Sequence, residues 1–387
     1  MSANPARRNV HLDEVYPLLD YTPVRGEGVF LEDEAGRRVL DLYGGHAVAA
    51  LGYQHPVLST AIQQQARALL FQSNALPMKV RDHAAQKLAD FAPAGLERVF
   101  FVNSGAEANE NALRLAIRST GRPKIVALEH AFHGRSAAAA AVTWNAKSWY
   151  GFPRTPFDVT FIARDDPAAL INAVDAQTAA LILEPVQGLA GAYDLSQEFV
   201  ATARKVCDSE QALLIFDEVQ TGMGRLGHPF GADMFAVQPD MLTTAKGLAG
   251  GLPAGALLMH ADIAEDLRGG DLGTTFGGGP VACAAIVAVI DSIEHEDLLS
   301  NVREVSAQIR ASCALGPVVG FQGAGFLLGL KTKPRAAQVR DALLDKNILT
   351  GTSTDPHVLR LLPPLILSKE HVQRLAAALG ALSDATI

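Results

Sequence analysis

Five short apolar segments recur along the middle of the chain, and each ends on polar or glycine residues. They read RVFFVNSG, KIVALEHAFHG, AALILEPVQG, ALLIFDEVQTG and AGALLMH, at 98–105, 124–134, 179–188, 212–222 and 254–260. Sequences with helical spacing lie between them, for example at 106–119 and 196–210. Apolar strands interleaved with helices predict an α/β fold with a mostly parallel sheet that helices cover on both faces. Ligands of such sheets bind at the carboxyl ends of the strands, where these polar residues fall.

The two ends of the chain have a different pattern. Residues 21–43 predict short antiparallel strands with a turn at 34–36. After about residue 290 the sequence predicts an amphipathic helix, glycine-spaced strands and a last helix. We therefore expect a large α/β domain at 52–290, and a smaller α+β domain formed by 1–51 and 291–387.

Composition narrows the function. The 387 residues are 49% hydrophobic, enough for a large core, and the net charge of −8 disfavours a nucleic-acid partner. Three cysteines without CxxC spacing indicate neither a zinc site nor a disulfide framework and favour a reducing compartment. Because no signal-like segment or membrane-length apolar run is present, we expect a cytoplasmic protein without a membrane partner.

The segment LLIFDEVQTGMGRLG places two carboxylates, Asp217 and Glu218, at the end of a strand that reads as buried. A buried carboxylate needs a cationic or hydrogen-bonding partner. Because side chains alternate along a strand, Glu218 is expected on the side opposite Asp217, with a structural partner such as Arg225.

Lys246 is the only lysine between Lys205 and Lys331, and its neighbours are small or apolar. Partial desolvation would lower its pKa and make it a competent amine nucleophile. Taken alone, it could equally be a lysine that extends from a loop to solvent. It follows Asp217 by 29 residues (246 − 217), which leaves room for a loop, a helix and a strand, so the two can meet at neighbouring strand ends. A pyridinium nitrogen would match this aspartate, and a Schiff-base lysine would hold the same ring.

Two further strand ends allow more than one interpretation. Ser104 and Glu107 match a capping box, and Gly105 allows close backbone approach, so this helix start is either a capped end or a phosphate site. His130 and His133 lie three residues apart, but the pattern is not HExxH and no third ligand stands out. We predict no metal site here.

Seven motifs in order resemble those of the class III (ω-amino acid) aminotransferases, nearest to the acetylornithine/ornithine branch. They are NSGAEANENALRLA, AFHGR, EPVQG, LLIFDEVQTGMGRLG, PDMLTTAKGLAGGLPAGA, GTTFGGGP and VLRLLPPL, and the resemblance runs from about Tyr16 to Ser368. It implies the fold type I architecture of pyridoxal phosphate (PLP)-dependent transferases, PLP as cofactor, and a homodimer with active sites at its interface.

The resemblance also implies roles around the cofactor. Lys246 would be the Schiff-base lysine and the base that moves the substrate proton, and Asp217 would pair with the pyridine nitrogen N1. The remaining contacts would be Gln220 to O3′, Phe132 and Val219 on the two ring faces, and Ser104, Gly105 and Ala106 around the phosphate. Thr275, with Thr274, would reach the phosphate in the partner subunit, so that a monomer would be inactive.

For substrates, the resemblance implies that Arg135 binds a carboxylate of the amino donor and Arg360 the α-carboxylate of glutamate, with Tyr16 and Glu184 as further contacts. The implied reaction moves the terminal amino group of N2-acetylornithine to 2-oxoglutarate. It would give glutamate and a semialdehyde, by a ping-pong route through pyridoxamine phosphate, in arginine biosynthesis. Succinylornithine, N-acetyl-lysine on a carrier, ornithine and 4-aminobutyrate remain alternative donors, because one methylene is worth only ~1–3 kcal/mol.

Two positions depart from the family pattern. Leu189 stands where the family has a glutamate that screens the second arginine, so Arg360 would stay available to a carboxylate and favour α-amino acid half-reactions, unless another carboxylate substitutes. Gly279 replaces the asparagine of GGNP, which we expect to alter loop geometry rather than chemistry.

The sequence also bears on two other classes of protein. LLIFDE also resembles a Walker B strand, but an ATPase or GTPase needs Gly-Lys-Ser/Thr, which the chain lacks. A catalytically silent PLP-fold binding protein is disfavoured because Lys246, Asp217 and Gln220 occur together, although Leu189 keeps that alternative open.

Overall fold

The computed structural model describes residues 11–13, 15–265 and 267–382. Near the start of the chain an antiparallel meander forms, with the predicted turn at 34–36. Asp33 Oδ1 fixes this turn by accepting the N–H groups of Ala35 and Arg37, at 3.0 and 2.9 Å. The elements of this part are β1 (Pro23–Glu27), β2 (Phe30–Asp33), β3 (Arg38–Asp41), the short turn α1 (Gly44–Ala47), α2 (Pro56–Ala68) and α3 (Lys79–Phe91).

The middle of the chain forms a seven-stranded sheet flanked by helices. Its elements are β4 (Arg98–Val102), α4 (Gly105–Thr120), β5 (Lys124–Leu128), α5 (Ala137–Ala141), β6 (Asp158–Ile162), α6 (Pro167–Ala173), β7 (Thr178–Leu183), β8 (Val186–Gln187), α7 (Gly188–Gly191), β9 (Tyr193–Asp194), α8 (Gln197–Glu210), β10 (Leu213–Asp217), α9 (Gly231–Phe235), β11 (Met241–Thr244), β12 (Gly255–Met259) and α10 (Ala261–Glu265). The strand order is β4-β12-β11-β10-β7-β5-β6, and β8 and β9 pair separately.

This sheet confirms the predicted α/β class. The pairs β10–β11, β10–β7, β7–β5 and β5–β6 are parallel, and β12 alone runs antiparallel to its neighbours β11 and β4. Every residue of β7 and β12 is buried, which explains why these strands show no polar alternation. The sequence did not single out β6 and β11, because one is a half-buried edge strand and the other is four residues long and half threonine.

The last part of the chain is α+β, as its pattern predicts. Its elements are α11 (Pro280–His295), α12 (Leu298–Ser312), β13 (Val318–Ala324), β14 (Leu327–Thr332), α13 (Ala336–Asp345), β15 (Ile348–Leu349), β16 (Gly351–Thr352), β17 (Val358–Leu361) and α14 (Lys369–Gly380). Strands β13, β14, β17 and β16 form an antiparallel sheet, whereas β15 pairs in parallel with β3. This pairing brings both ends of the chain together.

The largest hydrophobic core crosses the predicted domain boundaries. It contains Leu40 from the first part of the chain, Leu248 and Ile286 from the middle and Leu375 from the end, all at most 1% exposed. The division at 51/52 and 290/291 therefore stays a prediction. None of the helices in the described part of the chain combines the length and apolar character that spanning a bilayer requires.

Candidate active site

The loops that follow β4, β5, β10 and β11 line a cavity of about 520 Å³. Eight of the ten predicted cofactor residues lie on its wall: Ser104, Gly105, Ala106, Phe132, Asp217, Val219, Gln220 and Lys246. Three of the four predicted substrate residues also line it, namely Tyr16, Arg135 and Glu184. Arg360, Thr274 and Thr275 are not among the residues on the wall of this chain's cavity.

Asp217 ends β10 and is 3% exposed, and its charge is held by three hydrogen bonds. Its Oδ2 accepts from Asn109 Nδ2 and pairs with His133 Nδ1, both at 2.7 Å. Its Oδ1 accepts the backbone N–H of Val219 at 3.0 Å. The carboxylate is thus fixed in one orientation at the floor of the cavity.

His133 and Asn109 are site residues that the sequence analysis did not assign. Asn109 also donates to the His133 carbonyl at 2.7 Å and accepts from Thr243 Oγ1 at 2.6 Å. The Nε2 of His133 is buried and has no hydrogen-bond partner among the described residues. The only signal for this arrangement was the position of Asn109 one turn into α4, on the side of Gly105.

Lys246 begins a 3₁₀ turn directly after β11, at a positive φ of 47°. Burial of its ammonium lowers its pKa to about 8, although Asp217 and Glu184 oppose the shift. The positive charge of Arg360 lowers the pKa of Lys246 further, so Arg360 acts on the end of the cavity where Lys246 lies. A larger fraction of Lys246 is therefore uncharged near neutral pH than for a lysine in water.

The start of α4 forms the second wall. Ser104 is the N-cap residue and its Oγ accepts from Glu107 N at 3.2 Å, while Glu107 Oε2 accepts from Asn103 N at 2.5 Å. Ser104 therefore caps the helix as predicted, but Glu107 binds the N–H of Asn103 instead of the Ser104 N–H that a complete capping box requires. Ser104, Gly105 and Ala106, at the start of this 16-residue helix, line the cavity. At Gly105 a Cβ would lie 2.7 Å from the methyls of Val219, so the close approach requires glycine.

Phe132, Val219 and Gln220 complete the cofactor side of the cavity. Phe132 is held by its backbone N–H, which donates to Glu184 Oε1 at 3.0 Å. Gln220 packs against Gly188 so closely that a Cβ there would meet its Oε1 at 1.7 Å. The Gln220 contact connects this side of the cavity to α7, and the Phe132 contact connects it to Glu184, which lies just before α7 in the chain.

Glu184 lies between the cofactor side and α7. Besides the Phe132 N–H, its other oxygen accepts from Gly188 N at 3.2 Å. Burial raises its pKa to about 7, and the charge of Asp217 adds to this effect whereas His133 opposes it. The structure therefore shows Glu184 bonded to the backbone, at the edge of the cavity where it was predicted to meet substrate.

Arg135 lies at the open end of the cavity. Its guanidinium carbon is 4.5 Å from the ring centroid of Trp149 and 5.9 Å from that of Phe132. No hydrogen bond or ion pair holds it within the described residues, and the side chain is exposed. Tyr16, 71% exposed, lines the same cavity. This arginine is therefore oriented by aromatic faces while its donors stay free.

Arg360, on β17, is only 2% exposed. Its Nε donates to the Thr352 carbonyl at 2.7 Å, its Nη1 to the Gly188 carbonyl at 3.1 Å, and its Nη2 to Tyr43 Oη at 3.1 Å. Burial lowers its pKa, against the effects of Tyr43 and Glu184. Because the Gly188 N–H binds Glu184 and the Gly188 carbonyl binds Arg360, the backbone of one residue links the two charged side chains.

The two departures from the family pattern lie in short turns. Leu189 is half-buried in α7, and its carbonyl accepts from Thr354 N at 3.0 Å, so α7 is tied to the loop before β17. Among the described residues, no carboxylate forms an ion pair with Arg360. Gly279 caps α11 with a φ of −61°, a conformation open to other residues.

Thr274 and Thr275 lie apart from the cavity of their own chain. Thr274 Oγ1 accepts from Gly277 N at 3.0 Å and from Asn103 Nδ2 at 3.3 Å, while Thr275 is exposed. Within one chain they therefore belong to a loop beside Asn103. Their predicted role in a partner subunit stays a prediction.

The predicted partner of Glu218 was wrong. Its carboxylate accepts from Thr221 Oγ1 at 2.7 Å and from the first N–H groups of α9, Gly231 at 2.6 Å and Ala232 at 2.7 Å. Arg225 donates instead to the carbonyls of Pro363 and Ala47. Glu218 binds the start of α9 instead of Arg225 because the first N–H groups of this helix lack an intrahelical acceptor and lie in the same buried region. Burial raises the pKa of Glu218 to about 7.

Comparisons with known proteins identify the family of this chain. The profile of the family described as aminotransferase class-III matches residues 13–384. The acetylornithine aminotransferase of Streptomyces coelicolor is 44% identical over 367 residues, covering 93% of this chain and 90% of its own. The [LysW]-aminoadipate semialdehyde transaminase of Deinococcus radiodurans is 38% identical over 375 residues, covering 94% and 86%.

Solved structures show the same fold. The ornithine aminotransferase of Toxoplasma gondii, with partial occupancy of PLP at its active site, matches with a TM-score of 0.88 at 28% identity, over 96% of this chain and 93% of its own. The acetylornithine aminotransferase of Elizabethkingia anophelis matches with a TM-score of 0.84 at 28% identity, over 96% and 95%. The architecture is thus the predicted fold type I of PLP-dependent aminotransferases.

The chain belongs to the class-III aminotransferases, a family of PLP-dependent enzymes. Its residues fit this cofactor. Asp217 is a buried, oriented carboxylate, Lys246 is an amine with a lowered pKa, and the start of α4 offers free N–H groups beside a required glycine. The lining of one cavity thus offers a carboxylate for a ring nitrogen, an amine for an aldehyde and N–H groups for a phosphate.

Proposed function

We propose that this enzyme transfers the terminal amino group of N2-acetylornithine to 2-oxoglutarate, giving glutamate and a semialdehyde in arginine biosynthesis. The observation that carries the proposal is a pair of arginines placed differently about Lys246. Arg360 affects the pKa of Lys246, whereas Arg135 lies at the open end of the cavity. Relatives named acetylornithine aminotransferase support the choice of donor.

The chemistry of the two substrates assigns the arginines. N2-acetylornithine reacts at its terminal amine, so its only carboxylate lies several bonds away and would reach Arg135. Glutamate reacts at its α-carbon, so its α-carboxylate stays next to the reacting atom and would reach Arg360, while its side-chain carboxylate would use Arg135. One site could thus serve both substrates in turn, as a ping-pong reaction requires.

The residues of the chain would divide the catalytic work. When bound, PLP supplies the electron sink for the carbon that loses its proton. Asp217 would compensate a protonated ring nitrogen, with its orientation fixed by His133 and Asn109. Lys246 Nζ would take the proton from the substrate carbon and pass it to the cofactor, which a pKa of about 8 suits near neutral pH.

The test is a panel of donors offered to the PLP-loaded enzyme. N2-acetylornithine, N2-succinylornithine, ornithine, N2-acetyl-lysine and 4-aminobutyrate would each be mixed with it, and conversion of the visible band followed. The proposal expects the highest kcat/KM for N2-acetylornithine, with 2-oxoglutarate restoring the band. A higher kcat/KM for another donor would overturn the substrate, and no visible band with added PLP would contradict the cofactor.

A second candidate is an aminotransferase whose substrate is held on a carrier protein, since one relative carries the name [LysW]-aminoadipate semialdehyde transaminase. The exposed position of Arg135 would allow a bulky substituent on the donor. A carrier-linked amine reacting faster than N2-acetylornithine would favour this alternative.

We further propose a cytoplasmic homodimer in which Thr275, with Thr274, binds the phosphate in the partner subunit. Thr275 is exposed in the single chain, beside Phe276, which is 66% exposed. The test mixes two inactive variants, Lys246→Ala and Thr275→Asp. If each site combines residues from both chains, the mixed dimer keeps one site free of both substitutions. A random 1:1 mixture, about half of whose dimers are mixed, should then regain about a quarter of the wild-type activity. No regain would contradict a shared site.

A further inference from the structure

Tyr43 and His46 form a hydrogen-bonded pair next to Arg360. Tyr43 Oη accepts from Arg360 Nη2 at 3.1 Å and lies 2.8 Å from His46 Nδ1. Since the hydroxyl oxygen already accepts from the guanidinium, its own hydrogen is free to point to His46.

The surrounding residues fix Tyr43 in place. Asp41 Oδ1 accepts the N–H groups of Tyr43 and Gly44, at 2.8 and 2.9 Å, and Asp41 Oδ2 accepts from Tyr53 Oη at 2.5 Å. The Tyr43 ring packs on Gly351 so closely that a Cβ there would lie 1.9 Å from it. These contacts fix the backbone and the ring of Tyr43, and so hold its hydroxyl next to Arg360.

His46 owes its position to an unusual backbone. Gly44, Gly45, His46 and Ala47 have φ values of 54°, 56°, 65° and 70°, so α1 is a left-handed turn. This conformation disfavours residues that carry a side chain. The turn aims the imidazole at Tyr43, their ring centroids being 4.7 Å apart. The side chain remains exposed, so it can exchange protons with solvent.

A hydroxyl partner differs from a carboxylate partner in one respect. A carboxylate would neutralise Arg360 and would have to leave before a substrate carboxylate could bind, whereas Tyr43 leaves the charge of Arg360 uncompensated. When Tyr43 turns its hydrogen from His46 to an incoming carboxylate, His46 Nδ1 loses its donor. A proton on Nδ1 restores that hydrogen bond with the direction reversed.

We propose that Tyr43 donates its hydroxyl hydrogen to the carboxylate that Arg360 binds, and that His46 controls this donation, so that carboxylate capture is coupled to protonation of His46. The proton comes from solvent, and no covalent bond changes. The inference rests on the proposed function, since it concerns the carboxylate next to the reacting carbon of glutamate or 2-oxoglutarate.

The charges around His46 set the direction of the effect. Partial desolvation, Arg360 and Lys246 lower the pKa of His46, which favours its neutral form before a carboxylate binds. The groups that face Tyr43 are Arg360 and Arg340, which favour its ionised form, and Asp41, which opposes it. A bound carboxylate adds negative charge beside His46 and raises its pKa, so binding takes up a proton and tightens as pH falls.

The experiment measures binding of glutarate, a dicarboxylate without an amino or oxo group, to the PLP-loaded enzyme by calorimetry. Repeating the titration at pH 6.5 in buffers of different ionisation enthalpy gives the number of protons taken up. The variants are Tyr43→Phe, His46→Gln and His46→Asn, the last compatible with positive φ. His295→Gln, an exposed histidine at the end of α11, is the matched control.

Both His46 variants are expected to take up fewer protons than the wild type on binding glutarate, and His295→Gln the same number as the wild type. Tyr43→Phe is expected to bind glutarate about tenfold more weakly at pH 6.5 and to lose the same proton uptake. Glu184 and Lys246 lie nearby and also titrate, but their contribution to the proton uptake should be the same in all variants.

Wild-type proton uptake in folded His46→Gln and His46→Asn would overturn the inference. So would unchanged glutarate affinity in Tyr43→Phe. These outcomes are separate from the proposed function, because an enzyme that failed to transaminate 2-oxoglutarate would refute that function whatever its glutarate binding showed.

Discussion

The two arginines of the cavity are held in opposite ways. Arg360 is 2% exposed and donates to two backbone carbonyls and the Tyr43 hydroxyl, so its direction is fixed before any substrate arrives. Arg135 is exposed and rests on the faces of Trp149 and Phe132 without an acceptor. Under the proposed function, the fixed arginine would bind a single carboxylate at a fixed distance, and the exposed arginine would accept donors of varying length.

The largest effect is expected from removing the fixed arginine. Arg360→Lys retains the charge but cannot donate in the three directions that the guanidinium serves. The KM for 2-oxoglutarate should rise about 100-fold, the loss of one to two charged hydrogen bonds. Steady-state kinetics at saturating donor measures this rise.

The control for this variant is Arg204→Lys, a partly buried arginine paired with Asp240 away from the cavity. It should leave the KM unchanged. An equal rise in both variants would show a general loss of packing instead of a lost carboxylate contact.

Removing the exposed arginine should have a smaller effect, spread over both substrates. Arg135→Ala should lower kcat/KM about tenfold for N2-acetylornithine and for glutamate, since each has a carboxylate at that end. Because Arg135 is solvent-exposed, the ratio of kcat/KM between the wild type and Arg135→Ala should fall in high salt. Arg118→Ala, an exposed arginine paired with Asp271, provides the control. A tenfold loss for only one substrate would break the assignment.

Leu189→Glu tests whether Arg360 is left unscreened. A carboxylate at 189 would compete for the guanidinium and slow the glutamate half-reaction by about tenfold relative to that of N2-acetylornithine. Leu189→Gln, of the same size without the charge, should have a weaker effect. Unchanged relative half-reaction rates in Leu189→Glu would refute the idea that Leu189 shifts the enzyme toward α-amino acids.

The smallest effect concerns the aromatic support of Arg135. Trp149→Leu removes a face at 4.5 Å and should raise the KM for N2-acetylornithine about threefold, as exposed cation–π contacts contribute ~0.5–1 kcal/mol. Trp149→Tyr should retain most of the effect. If Trp149→Leu and Arg135→Ala are additive, the tryptophan acts on the substrate directly and not through the arginine.

The sequence predicted those features that depend on a local pattern. The non-alternating strands indicated the parallel part of the sheet, where β7 is buried throughout, and Ser104 caps α4 as expected, although Glu107 binds Asn103 N and the capping box is incomplete. Asp217 and Lys246 could be paired because the chain between them has the length of one helix and one strand.

Contacts between distant parts of the chain could not be predicted. His133 meets Asp217 across 84 residues and Tyr43 meets Arg360 across 317, and no local pattern marks either pair. For Glu218, a local pattern predicted a contact that does not form. Arg225 lies nearby in the sequence and suggested an ion pair, but the carboxylate binds N–H groups of α9 instead.

One measurement tests the division of labour between the arginines most directly. Single-turnover rates of both half-reactions, with N2-acetylornithine and with glutamate, would be determined for the wild type, Arg135→Lys and Arg360→Lys. The account predicts that Arg360→Lys slows the glutamate half-reaction about 100-fold while the N2-acetylornithine half-reaction stays within about threefold, and that Arg135→Lys slows both. Equal slowing of both half-reactions by Arg360→Lys would contradict it.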